Sequence, residues 1–313
     1  MINHPRASQL LTETEAFKDL DEPVILTSGE LGIYYINTEK LAQDGGEFEK
    51  FGDNSAAMIQ HAIRMTQSHP TFSEAIDILT RKVMGLAYNA MAELSDKGGR
   101  VFISGGQRRD WLFSGPVAVK LGLPHVSIYK DERIEILDPK TLKADGLTKA
   151  MSIYDKHVAI HVADLLTEAS SCYRLEGNTP KGWVPALRRN NIEVKDLVSV
   201  VTRLQGGERN LAHQGVFADS LVAIGPDFLR SFSKNPERAL AYAQDPTVWN
   251  EAYLKENGAL ALLETFNPNG KKLDRAKKFM TRYEDILTQA GKLGELDLAC
   301  NVKYGKHLQE ILD

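Results

Sequence analysis

Four short, almost uninterrupted apolar runs lie between Arg100 and Arg203, and stretches with helical spacing separate most of them. The runs are Val101-Phe102-Ile103-Ser104, His125-Val126-Ser127-Ile128-Tyr129, residues 157–162 and the Val-rich residues 194–201. A strand buried on both faces loses the polar alternation of a half-exposed one, which is the mark of a parallel sheet between helical layers. Parallel neighbours need long crossovers, supplied here by helical patterns at 112–121 and 171–190, the second broken at Thr179-Pro180. The pattern therefore predicts an α/β fold with a central parallel sheet flanked by helices.

The flanking regions read differently. Thr71-Phe72-Ser73-Glu74 fits a capping box with Thr71 as the cap. Behind it Ile76, Leu79, Val83, Leu86, Ala90, Met91 and Leu94 share one helical face that runs on to Gly98-Gly99. Leu26-Thr27-Ser28-Gly29 and Ile33-Tyr34-Tyr35-Ile36 look like extended pieces around a turn. Beyond Gly225-Pro226 only helical patterns remain, at 236–244, 247–256, 271–293 and 304–312. The reading divides the chain into a sheet domain, 1–225, and an all-helical extension, 226–313.

Composition narrows the function classes. The net charge of −4, without basic runs, argues against non-specific nucleic-acid binding. No stretch approaches the roughly 18 apolar residues of a membrane span. Met1-Ile2-Asn3-His4-Pro5 lacks the basic start and apolar core of a signal peptide, so the expected location is cytoplasmic. Two cysteines, Cys172 and Cys300, make neither a disulfide framework nor a C-x-x-C zinc pair.

Ligands of open parallel sheets bind beyond the carboxyl ends of the strands. The third run continues into Ala163-Asp164-Leu165-Leu166-Thr167-Glu168-Ala169-Ser170-Ser171, a carboxylate followed by a small, hydroxyl-rich turn expected to open a helix. Such a start presents unpaired N–H groups to an anion, although a plain Ser/Thr cap explains it equally well. The first run ends in Ser104-Gly105-Gly106-Gln107-Arg108-Arg109-Asp110-Trp111. There the glycines allow close backbone approach and the arginines suit phosphate or carboxylate. The alternative is a solvated loop with its arginines paired to Asp110. The fourth run ends at Thr202-Arg203, where Arg203 serves either a ligand or an ion pair with Glu208 or Asp219.

Other patterns carry less. His157 and His161 lie roughly 13 Å apart on a strand at about 3.3 Å per residue, too far to share a metal, and His161 reads as a core histidine. Cys172 reads as an inert buried thiol. The G-x-x-x-x-G-K-[ST] and G-x-G-x-x-G phosphate motifs are absent.

In this order the strand ends resemble a type I phosphoribosyltransferase, most closely the orotate branch. Residues 159–171 are similar to that family's signature for 5-phosphoribosyl pyrophosphate: an apolar strand, two acids, two apolar residues and a Thr/Gly/Ser loop. Residues 200–216 resemble the orotate branch's strand, Asp-Arg, Gly-Gly and helix. Leu26-Thr27-Ser28-Gly29 with Tyr35-Ile36-Asn37 is like its amino-terminal hood, and residues 113–124 are like the helix after the pyrophosphate loop. The resemblance spans about residues 10–225 and leaves the helical extension unexplained.

It implies a phosphoribosyltransferase-like fold with about five parallel strands and a small hood at about residues 20–40. It also implies a pentosyl transfer from 5-phosphoribosyl pyrophosphate to a pyrimidine-type base, with release of pyrophosphate. Asp164 would face the ribose and the magnesium carried by the substrate, so that no protein side chain ligates Mg2+ directly. Thr167, Glu168, Ala169, Ser170 and Ser171 would hold the 5′-phosphate, and Ser104, Gly105, Gly106, Arg108 and Arg109 the pyrophosphate. Lys130 and Arg133 would be catalytic cations, Arg133 from a loop that reaches a partner subunit in a homodimer. Arg203 would meet the carboxylate of the base.

Ala163 stands where the family has the first acid, Ala169 where it has glycine, and Thr202 where it has the Asp of Asp-Arg. Glu168 sits inside the phosphate loop, where its charge opposes a phosphate unless it points outward. Thr27 and Asn37 replace a lysine and an aspartate of the hood. The alternative function is therefore a non-catalytic nucleotide- or phosphosugar-binding regulator on the same fold, with the helical extension engaging a partner. A third reading is altered chemistry on another phosphorylated ligand through Arg108, Arg109 and Asp110.

Overall fold

The computed structural model describes residues 3–43, 45–96, 99–144 and 156–313. Helix α1 (Pro5–Glu13) precedes a hairpin of β1 (Phe17–Ile25) and β2 (Leu31–Ile36). Two helices follow, α2 (Ser55–Ser68) and α3 (Pro70–Leu94), and then β3 (Val101–Gly106), α4 (Arg109–Leu121), β4 (His125–Ile128) and β5 (Ile134–Leu137). After β6 (His157–Leu166) come a small hairpin, β7 (Arg174–Glu176) and β8 (Thr179–Lys181), helix α5 (Trp183–Arg189), β9 (Ile192–Thr202), α6 (Gly207–Ala212) and β10 (Phe217–Ala223). Only helical elements occur from Pro226 on, among them α7 (Pro226–Phe232), α8 (Pro236–Gln244), α9 (Pro246–Asn257), α10 (Leu273–Gln289), α11 (Leu293–Tyr304) and α12 (Leu308–Leu312).

Six strands form the central sheet in the order β10-β9-β6-β3-β4-β5. The five from β10 to β4 are parallel, and β5 returns antiparallel to β4 at the edge. The α/β expectation holds, with both faces of β3 and β4 fully buried. Apolar side chains such as Phe102, Ile103, Val126, Ile160 and Val162 carry that burial, each leaving water at about 25 cal/mol per Å² of apolar surface. The apolar runs did not mark β5 or β10: Glu135 interrupts Ile134–Leu137, and Asp219 and Ser220 interrupt Phe217–Ala223.

Several local expectations need correction. The long helix starts at Pro70, whose missing N–H suits the first helical position, so Thr71 is not its cap. Glu74 instead takes a forked hydrogen bond from Arg6, 2.9 Å at each oxygen. That helix ends at Leu94; Gly98, expected as its stop, lies outside the described residues. The predicted helix at 171–190 is a turn, the β7–β8 hairpin and a short helix. Gly177-Asn178 supplies the two-residue hairpin turn, with Gly177 at φ +61°. The predicted helix at 304–312 is interrupted by Gly305, which closes α11 in the left-handed region.

The chain falls into two compact units: residues 1–16 with 37–225, and residues 17–36 with 226–313. In this division the β1–β2 hairpin groups with the helices after 225 instead of with the sheet. Its Ile25 and Leu31 share a core with Phe266, Phe279, Tyr283 and Leu287. Tyr242 donates its hydroxyl to Leu31 O at 2.8 Å. Gly29 at φ +86° is required there, because a Cβ would stand 2.8 Å from the Lys278 backbone.

Candidate functional site

The chain leaves β3 for β4 on one side of the sheet and returns to place β6 on the other. A crevice at such a reversal, outside the carboxyl ends, is where this architecture binds ligands. The pairing shows the crevice opening. The β3–β6 register ends at Ser104 and His161, whereas β3–β4 continues to Gly106 and Ile128 and β6–β9 to Leu166 and Thr202. A cleft of about 300 Å³ lies at this point, lined by Glu39, Phe48, Glu49, residues 107–110, Lys130, residues 163–165, Ser171, Cys172 and Trp183.

Asp164, at the β6 tip, is 9% exposed. Its Oδ2 accepts from the Thr38 hydroxyl at 3.1 Å and its Oδ1 from Leu165 N at 2.6 Å. Burial, and then the neighbouring charge of Asp110, push its carboxyl up to about 7. Asp110, in the first turn of α4, accepts from the amides of Gly106 and Asp164, both at 2.9 Å. His161 stands behind it, its Nε2 3.6 Å from Asp110 and its Nδ1 3.1 Å from Ser104 Oγ. Cys172 also lines the cleft, and burial, followed by the charges of Asp110 and Asp164, drives its thiol far above the usual range.

The predicted residues separate by position. Arg108, Arg109, Lys130, Asp164 and Ser171 line the cleft. Arg109 pairs through its Nε with Glu39, which follows Thr38 in the 3-10 turn Thr38–Leu41. The Lys130 amide donates to the Gln107 side chain at 2.9 Å, tying the β4 tip to the β3 loop. Ser104, Gly105 and Gly106 belong to the buried strand β3 and not to an open phosphate cradle. A Cβ on Gly105 would stand 2.2 Å from Ser114 Oγ, and one on Gly106 would stand 2.3 Å from the Trp183 indole. These glycines make room for protein side chains, and it is Trp183 that reaches the cleft.

Thr167, Glu168, Ala169 and Ser170 do not line the cleft, and no helix starts at Ser171. The turn is closed on itself: Cys172 N and Tyr173 N both donate to Ala169 O at 2.9 Å, and Gly207 N donates to Thr167 O at 2.9 Å. Ala169 sits at φ +62°, in the left-handed region that glycine adopts without strain. Glu168 is solvent-exposed. Arg133 leaves the cleft for the Tyr129 ring, 3.7 Å from its centroid. Arg203, just past β9, is half-buried and outside the lining; its amide donates to Leu166 O at 2.9 Å. The two acids considered as its partners have other bonds, Glu208 to Thr202 and Asp219 to Lys82.

Sequence reasoning missed Thr38, Glu39, Phe48, Glu49 and Trp183, which come from segments remote in sequence. It cast Asp110 as a counter-ion for the arginines or, beside them, as a group acting on another phosphorylated ligand, whereas Asp110 bonds backbone amides. Among the described residues no group of three or more His, Cys, Asp or Glu side chains is arranged to hold a metal ion. No described helix is long and apolar enough to cross a membrane.

No family model matches the chain, and neither does any curated protein. Among solved structures it is similar to type I phosphoribosyltransferases. With orotate phosphoribosyltransferase from Aeropyrum pernix it shares 17% identity over 72% of this chain and 98% of that one, with a TM-score of 0.42. Adenine phosphoribosyltransferase from Leishmania tarentolae gives 15% identity over 71% and 88%, with a TM-score of 0.41. Leishmania donovani UMP synthase gives 13% over 76% of this chain but only 41% of its own length, with a TM-score of 0.43.

Proposed function

We propose that the cleft binds 5-phosphoribosyl pyrophosphate and that the protein transfers its phosphoribosyl group to a pyrimidine-type base. The observation that carries this reading is the convergence, at the sheet's switch point, of the buried carboxyl of Asp164 with Arg108, Arg109 and Lys130 from the tips of β3 and β4. Departure of pyrophosphate leaves a ribose with oxocarbenium character. Cations and donors on the leaving group lower that barrier, and a carboxylate beside the ribose stabilises the positive charge. Arg108 and Lys130 suit the first task and Asp164, ionised above about pH 7, the second, while Phe48 and Trp183 give the cleft apolar walls that limit water. Magnesium belongs in this reading to the substrate, carried on its pyrophosphate.

The pyrimidine-type base rests on the sequence resemblance around Thr202-Arg203, since Arg203 lies outside the cleft lining. A soluble, cytoplasmic homodimer is likewise proposed from the resemblance. The test is pyrophosphate release on mixing the protein with 5-phosphoribosyl pyrophosphate, magnesium and orotate or uracil. Release that requires the base supports the reading, and tight binding without any release rejects it.

That last outcome is the signature of the second reading, a non-catalytic phosphoribosyl- or nucleotide-binding protein. One observation favours it: Ala163 lines the cleft where the family's first acid would stand, leaving Asp164 as the only carboxylate of that pair.

A further inference from the structure

We infer that Asp110 is the positioning residue of this cleft, the side chain that fixes the spacing between the tips of β3 and β6. Parallel strands that stop pairing leave amide donors without carbonyl acceptors, and a buried amide needs an acceptor. The β3–β6 pairing stops at Ser104 and His161, and beyond it lie Gly106 N on one strand and Asp164 N on the other. The two carboxylate oxygens of Asp110 take these two amides, one each, at 2.9 Å. One side chain thus replaces the missing rungs and bridges the gap in which the cleft opens.

The clamp is itself held in place. Asp110 is 8% exposed, and Gly105 leaves it room, because a Cβ there would come within 3.2 Å of the Asp110 Cβ. The neighbouring Trp111 donates its indole N–H to Gly105 O at 2.8 Å, fixing the first turn of α4 against β3. His161 Nε2, 3.6 Å away, faces the same carboxylate. Moving Asp110 would shift Asp164 on one side and the Arg108–Arg109 loop on the other, so it acts on ligands through those groups. Only this consequence for ligands rests on the reading of the cleft as a phosphoribosyl site; the clamp does not.

The test compares the full-length wild type with Asp110→Ala and Asp110→Asn by amide hydrogen exchange and by calorimetric titration with 5-phosphoribosyl pyrophosphate and magnesium. In Asp110→Ala the Gly106 and Asp164 amides should exchange at least about tenfold faster, while those of Ile103 and Arg203, which bond Pro124 O and Leu166 O, keep their rates. Asp110→Asn keeps one acceptor oxygen, so one of the two amides should retain its protection; this variant decides the matter if Asp110→Ala does not fold. Affinity for 5-phosphoribosyl pyrophosphate should fall about tenfold or more in Asp110→Ala. Wild-type exchange rates at both amides, equal acceleration at all four, or fast exchange with unchanged affinity would each overturn the inference. A wild type that shows no binding removes the function reading, while the exchange data still decide the clamp.

Discussion

Thr38 donates its hydroxyl to Asp164 across 126 residues of sequence, and the next residue, Glu39, pairs with Arg109. One short turn thus engages both the buried acid and an arginine of the cleft. A phosphorylated ligand that uses Arg109 has to compete with Glu39 for it.

That competition is measurable. Glu39→Gln removes the charge that pairs with Arg109, so affinity for 5-phosphoribosyl pyrophosphate should rise by about fivefold, on the order of 1 kcal/mol for a partly exposed ion pair. Calorimetry on the variant checks it; weaker binding would mean that Glu39 contacts the ligand favourably.

Asp164 sets a pH dependence. Its carboxyl titrates near 7 in the folded chain, against about 4 when unfolded. Between these values the folded state keeps a proton that the unfolded state has lost, so stability falls as pH rises from about 4 to about 7. Asp164→Asn removes this loss. The variant should be more stable than wild type by roughly 1–3 kcal/mol at pH 8 and show no gain at pH 4, as urea titrations at the two pH values would reveal.

The cations should separate by location. Arg108→Ala and Lys130→Ala, which alter the cleft lining, should each weaken 5-phosphoribosyl pyrophosphate by about 1.5–3 kcal/mol, the worth of a hydrogen bond to a charged group. Arg133→Ala and Arg203→Lys, outside that lining, should leave its affinity within about twofold. A large loss at Arg133 would show that it leaves Tyr129 for the ligand.

Gly106 tests the packing account of the β3 loop. Gly106→Ala drives a Cβ into the Trp183 indole and should cost about 1–3 kcal/mol, the usual penalty of overpacking. Trp183→Leu in the same chain should recover most of that cost in thermal unfolding. Equal destabilisation with and without Trp183 would place the glycine requirement in the backbone.

The four apolar runs revealed the sheet because burial on both faces writes itself into consecutive residues, as at Val101–Gly106. β10 escaped because Asp219 and Ser220 break its run, with Asp219 pairing to Lys82 outside the sheet. Arg108 and Asp164, which line the cleft, were legible because strand tips are predictable places, whereas Lys130 came only from the family resemblance. Thr38, Glu39 and Trp183 were not, because nothing local in a 3-10 turn or a hairpin exit announces which strand end it will meet. The loop at 167–171 was misread for a physical reason: Ser and Thr signal helix caps, yet Gly177-Asn178 and Gly182 turn the following chain into a hairpin before any helix begins.

The most direct test is calorimetric titration of the wild type with 5-phosphoribosyl pyrophosphate and magnesium, repeated on Lys130→Ala. A Kd on the order of micromolar that weakens by about tenfold or more in the variant is the expected result. No heat up to about 1 mM, or binding indifferent to Lys130, would contradict the assignment of the cleft.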